Sequence, residues 1–144
     1  MNAPLYNTEI LRLAATIPQY ARLPDAMGTA DKRSPICGSR VTVDVNTDAA
    51  GHVTDFGLMV RACALGQASS SLLGAAVIGK TPIEIADARD QLTAWLAGTG
   101  PLPDWPGFAL FTPALPHSAR HASIRLAFEA AAEAAALAAA KLPA

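Results

Sequence analysis

Cysteine is scarce in this chain: Cys37 and Cys63 are the only two among 144 residues. One pair cannot supply the disulfide framework of a small secreted domain, and in a reducing compartment two cysteines read as thiols or metal ligands rather than a structural bridge. Charge of one sign is also missing. The formal net charge is −1, so there is no basic stripe of the kind that attracts nucleic acid, and DNA or RNA binding is not expected. Long hydrophobic runs are lacking too, because the uncharged stretch from Ala62 to Ile78 is interrupted by Gln67 and a serine triplet, which argues against a membrane span. The opening residues, MNAPLYNTEILRLAATIP, have no basic segment ahead of an apolar one and do not read as a signal peptide. A cytoplasmic protein is expected.

What is present is apolar. Hydrophobic residues make up 51% of the chain, enough for one domain over residues 1–144 with its own core. Much of that fraction is alanine, which favours helices but fills little volume, so Leu, Ile, Val, Phe and the two Trp must supply the core.

Periodicity orders the elements. Leu5, Ile10, Leu11, Leu13, Ala14 and Ile17 form a stripe at helical spacing that Pro18 ends. The next stretch, to Pro35, is rich in turn formers and charges and reads mostly as loop, with room for a short edge strand just before Pro35. Val41, Val43 and Val45 then alternate with polar residues. Phe56, Leu58 and Val60 do the same after the turn DAAG, and the two runs predict an antiparallel hairpin. From Cys63 onward the pattern is helical: one helix closing on Gly79, one from Thr81 to about Gly98, and a long Ala-rich helix over about Ser118 to Leu142 in which Arg125 and Glu129 can pair. The Pro-rich stretch between the last two is expected to be irregular. The sum is an α+β domain, a small antiparallel sheet covered by helices and ended by a long C-terminal helix.

The segment GAAVIGKT, Gly74 to Thr81, satisfies the phosphate-loop pattern G-x-x-x-x-G-K-[ST]. Its context disagrees. A phosphate loop follows a buried strand, whereas the residues upstream read as helix, and the helix-start signals fall at Thr81, Pro82 and Glu84, a capping box. The segment is read as a helix stop followed by a new N-cap, with Lys80 exposed in the turn.

Both cysteines lie at the edges of elements, and Cys63 precedes a predicted helix N-terminus. There the macrodipole and free amides favour the thiolate, the form that binds metal or accepts sulfur. Composition alone leaves open that each is a core filler.

The span SPICGSRVTVDVNTDAAGHVTDFGLMVRACALGQASSSLLGAAVIGKT resembles the NifU/IscU family of iron-sulfur cluster assembly scaffolds, whose pattern is P-x-C-G-D, a hairpin, G-C-x-x-x-x-A-S-S-S and G-K-[ST]. The matching pieces are Pro35, Cys37 and Gly38; Cys63, Ala68, Ser69, Ser70 and Ser71; and Gly79, Lys80 and Thr81. The family's L-P-x-x-x-x-H-C-S is similar to LPHSARHAS, Leu115 to Ser123. The resemblance implies a NifU/SufE-like fold and a non-enzymatic scaffold. It would hold a labile iron-sulfur cluster, with zinc as an alternative occupant, take sulfur from a cysteine desulfurase and pass the cluster to recipient apoproteins.

Two positions depart from the pattern. Ser39 stands where the family has aspartate, and Ala122 where it has the third cysteine. The resemblance therefore leaves Cys37, Cys63 and His121 as strong ligands and Ser39 as a weak one. Thiolates with an imidazole suit zinc or iron in tetrahedral geometry, and the remaining corner falls to His117, Ser39, water or a partner. His117 lies four residues before His121, the spacing of one helix face, although it is also read as a solvated histidine at the helix start. His121 is read alternatively as a partly buried helix histidine, Ser39 as a turn residue bonded to its own backbone, and the serine triplet as a device that lets its helix pack closely against the sheet. The family's chaperone-recognition stretch is reduced to Leu115 and Pro116. An alternative function is a degenerate scaffold fold acting as a zinc-binding or desulfurase-docking module without cluster assembly. Oligomeric state stays open.

Overall fold

The computed structural model describes residues 6–35 and 38–143. Three strands, β1 (Gly28–Arg33), β2 (Arg40–Thr47) and β3 (Val53–Arg61), pair antiparallel in the order β1-β2-β3. Around them lie α1 (Thr8–Ala15), α2 (Ala64–Ala76), α3 (Pro82–Leu96) and α4 (His121–Ala139). The predicted α+β architecture is present, with its long C-terminal helix.

The inner face of the sheet follows from the alternation of the sequence. Register sets Val41 opposite Val60, Val43 opposite Leu58 and Val45 opposite Phe56, all buried. On β1, Ala30 faces Val43 and Gly28 faces Val45. Alanine on α4 now has a purpose: Ala127, Ala130, Ala131, Ala134, Ala135 and Ala138 are buried and let the helix lie close against β1 and β2. A Cβ at Gly28 would meet the carbonyl oxygen of Ala134 head-on, so glycine is required where strand and helix meet.

The edge strand before Pro35 is a full strand of six residues, β1, longer than its polar sequence suggests. Main-chain pairing with β2 and packing against α4 compensate for weak β propensity. The residues ahead of it are loop, as expected, but they have a structural task. Gln19 accepts the amide of Leu58 on the free edge of β3 (3.0 Å). The loop then crosses the outer face, where Asp44 projects opposite Gly57. Asp44 is fully buried and accepts hydrogen bonds from Arg22 Nε (2.7 Å), Thr29 Oγ1 (2.7 Å) and the Leu23 amide (3.0 Å).

GAAVIGKT is a helix end and a turn. Helix α2 stops at Ala76, Gly79 takes φ +90° and Thr81 caps α3 with the reciprocal bonds to Glu84 that its capping box predicts. Lys80 corrects the reading of an exposed turn lysine: it is half-buried, and its Nζ lies 5.4 Å from the centroid of Trp105. The Pro-rich stretch is also more ordered than predicted. Residues Phe108–Ala114 form a 3-10 helix because Phe108 and Trp105 each stack edge-on to Phe128 of α4 at 5.3 Å, while Trp105 Nε1 donates to Leu72 of α2 at 2.7 Å. Burial of three aromatics supplies order that local propensity does not.

Candidate functional site

The β2–β3 ladder ends where β2 begins and β3 stops, and that end carries the sequence-predicted residues. The β1–β2 connection is tied across its base: the Ser34 amide donates to Ser39 (2.8 Å) and the Gly38 amide to Ser34 (3.0 Å). Gly38 has φ +71°, a backbone conformation a side chain disfavours, which gives the C-G pair its glycine. Cys37, between these anchors, lies outside the described residues.

Two residues past β3, Cys63 is the N-cap of α2. Its backbone is extended (φ −65°, ψ 170°), and the side chain makes no capping bond. The thiol is free and half-buried. Its Sγ lies 3.2 Å from the hydroxyl of Ser123, in the first turn of α4, and the same hydroxyl lies 3.4 Å from that of Ser39. Ser39 and Ser123 are both buried, so Ser39 is not an exposed turn residue but part of a hydroxyl-lined wall behind Cys63. Gly66 permits the contact. A Cβ there would fall 2.6 Å from the Ser123 hydroxyl and 2.7 Å from Ala62 Cβ, forcing the first turns of α2 and α4 apart.

His121 opens α4 and is 8% exposed. Its Nε2 is 3.0 Å from the carbonyl oxygen of Ala114. A carbonyl only accepts, so Nε2 is the donor nitrogen, and in the tautomer that fits this bond the lone pair is on Nδ1. The aromatic packing that orders the Pro-rich stretch thus fixes the orientation of His121, since Ala114 is the last residue of that 3-10 helix. His117 is exposed and precedes the short 3-10 turn Ser118–Arg120, which breaks the helical relation that would set it beside His121. Ala122 shares the first turn of α4 and has no donor atom.

The described residues bring together Cys63, Ser39 and Ser123, with His121 two residues away in the chain. Among them, no three His, Cys, Asp or Glu side chains are grouped to hold a metal ion. The donors present are one thiol, one imidazole and two hydroxyls, a set that suits a borderline or soft metal only with further thiolate donation. Ser123 closes the LPHSARHAS match but was not singled out as a site residue: a serine in an alanine-rich helix start carries no mark of its tertiary partner. The serine triplet also differs from expectation in what it touches. Ser69 bonds to Ile124 of α4 (2.7 Å), Ser70 to Gly66 one turn back (2.8 Å) and Ser71 to Thr16 (3.4 Å), so the three serve close helix packing rather than contact with the sheet.

The NifU-like N terminal domain family model matches residues 6–103. A crystal structure of a nitrogen-fixing NifU-like protein (N-terminal) from Brucella abortus superposes with a TM-score of 0.89 and 39% identity, over 95% of this chain and 96% of that one. A proposed iron-sulfur cluster assembly scaffold for the SUF system from Fervidobacterium islandicum AW-1 shares the fold at a TM-score of 0.82 and 18% identity, over 91% and 96% of the two chains. No curated protein sequence gives a significant match. The chain belongs to the NifU-like N-terminal domain family. That family is one of iron-sulfur cluster assembly scaffolds, which are not enzymes. No helix among the described residues is long and apolar enough to cross a membrane.

Proposed function

We propose that this chain acts in the cytoplasm, as one domain over residues 1–144, holding iron and sulfide at the end of the sheet where Cys63 opens α2. Cys37, Cys63 and His121 are the strong donors and Ser39 a weak one, with the cluster as cargo to be built and passed on. The observation that carries this reading is the Cys63 thiol, free and half-buried at a helix N-terminus with a hydroxyl at 3.2 Å. The thiolate is the form that binds iron or attacks sulfur, and Cys63 Sγ sits at the start of α2 with the Ser123 hydroxyl as a neighbour. The orientation of His121, with Nδ1 left as acceptor, supports its use as a ligand.

Sulfur transfer follows from that thiolate. Cys63 attacks the terminal sulfur of a persulfide on a cysteine desulfurase, a new S–S bond forms, and the desulfurase cysteine leaves as a thiolate. An external electron donor must then supply two electrons to cleave that S–S bond, regenerating the Cys63 thiol and releasing the sulfur as sulfide, before recipient apoproteins take the finished cluster.

The test is anaerobic reconstitution with iron and sulfide, counting both per chain, with Cys37→Ser and Cys63→Ser alongside. Stoichiometric iron and sulfide that fall away in either variant are expected; a protein that retains neither excludes the reading. A second reading, a zinc-binding or desulfurase-docking module that builds no cluster, is favoured by Ala122, which offers no donor atom. Zinc uptake without sulfide retention in the same experiment would select it.

A further inference from the structure

The outer face of the sheet, away from the core, carries a row of arginines that the scaffold reading does not use. Register sets Arg33 directly opposite Arg40 and Arg40 directly opposite Arg61, so three guanidinium groups leave the same face at the end of the sheet nearest Cys63. Directly opposed like charges on neighbouring strands destabilise a sheet. Asp31 answers only part of this row: it accepts Arg40 Nε at 3.0 Å. Arg33 and Arg61 are exposed and have no carboxylate in salt-bridge contact among the described residues. Arg22, spent on Asp44, adds a fourth guanidinium. The patch therefore sets four cations against two carboxylates in a chain whose net charge is −1.

The row borders a groove. Tyr20, Arg22, Arg40, Thr42, Met59 and Arg61 line an open trough of about 370 Å³, with Tyr20 and Met59 exposed as apolar surface between the charges. We infer that this groove docks an acidic segment of a partner protein, one that sets carboxylates on Arg33, Arg40 and Arg61 and an apolar side chain on Tyr20 and Met59. Charge complementarity selects the chemistry. Exposed Tyr20 and Met59 between the arginines suit a peptide that carries an apolar side chain among its carboxylates rather than a uniform phosphodiester backbone, and two apolar side chains give a membrane surface little to bind. The trough is open and runs from the loop of Tyr20 and Arg22 across β2 and β3, wider than a small carboxylate needs. Arg61 lies two residues before Cys63, about 7 Å of extended chain, so a segment bound here brings its protein to the thiol. Only this last consequence rests on the proposed scaffold role.

The experiment uses the metal-free protein and a short fluorescein-labelled peptide of glutamates with one tyrosine and one leucine, followed by fluorescence anisotropy. A version with glutamine for every glutamate, free citrate, a DNA duplex and vesicles containing phosphatidylserine serve as rival ligands. The native protein should bind the glutamate peptide and not the glutamine one. Arg33→Glu with Arg61→Glu should weaken binding about tenfold or more, and a lysine peptide should bind that double variant in its place. Arg12→Glu, on α1, should change nothing. Far-UV circular dichroism on the same samples secures the fold. Equal peptide affinity in the native and doubly reversed proteins overturns the proposal, and so does preference for citrate, duplex or vesicle over the peptide. Because no cluster is present in this assay, failed loading with iron and sulfide leaves its result intact, and failed peptide binding leaves the iron count intact.

Discussion

Asp44 offers the sharpest test of how the outer face is held. The side chain has no solvent exposure and accepts four hydrogen bonds: two from Arg22, one from Thr29 and one from the Leu23 amide. Burial works against its charge, but the bonds from Arg22, Thr29 and Leu23 outweigh it and hold the carboxyl below its ordinary value. Asp44→Asn keeps the shape and removes the charge, and its new amide N–H turns toward groups that are themselves donors. Bonds to a charged acceptor are each worth about 1.5–3 kcal/mol. Arg22 is more than half exposed, so its share is discounted for solvent screening, leaving an expected loss of about 2–3 kcal/mol. For a domain of this size that is about 6–9 °C in Tm.

The sign of the pH dependence follows from the depressed value. Stability from Asp44 is fully present above the unfolded carboxylate value of about 3.9 and drains away as pH falls through it toward the lower folded value. Asparagine does not titrate. The gap between native protein and Asp44→Asn, measured by urea denaturation, should be widest between about pH 5 and 8 and close below about pH 4. The other carboxylates held low, Asp31, Asp48 and Glu84, titrate in both proteins and cancel in the difference. A gap of the same size at both ends of the range would refute the electrostatic account and leave only a packing effect.

Three further outcomes are expected. Thr81→Ala removes the cap of α3 and should lower stability by about 1 kcal/mol in the same denaturation assay, with zinc binding unchanged because Thr81 lies at the far end of α2 from Cys63. Ala122→Cys should tighten zinc binding, read by chelator competition, since it adds a thiolate in the turn that carries His121 and Ser123. Adding Ser39→Asp should destabilise the metal-free protein by about 2 kcal/mol, because Ser39 is buried, and zinc should restore the loss. Native affinity equal to that of the repaired variants would show that the corner is already filled.

The hairpin, the capping box at Thr81 and the helical run after Cys63 were legible because each is specified within a few residues: alternation at Val41, Val43 and Val45, or Thr81 facing Glu84. The motif around Cys37 and Cys63 was legible through family resemblance. What escaped was tertiary. The edge strand before Pro35 was expected to be short; nothing local in GTADKR calls for six residues of it, and its pairing and cover come from β2 and α4. The aromatic residues of the Pro-rich stretch become structure only when Phe128 is brought to them. Ser123 and Ser39 are 84 residues apart and meet at Cys63 only because Gly66 lets two helices approach.

That meeting also bears on how a site can be emptied. A carboxylate at position 39, buried behind a thiolate, would be an uncompensated charge whenever the metal left, and its cost would fall on the metal-free fold. Serine avoids this, because the Ser39 hydroxyl stays within reach of that of Ser123, which in turn neighbours Cys63, with no cation present. A cleft lined this way binds a cation less strongly but stays folded without one. The fixed charge is carried elsewhere, by arginines on the outer face, where water screens it and a partner can reach it. On the two proposals, cargo and partner would meet separate surfaces, one a hydroxyl-lined cleft at the start of α2, the other cationic and open on the sheet, with Arg61 two residues from Cys63.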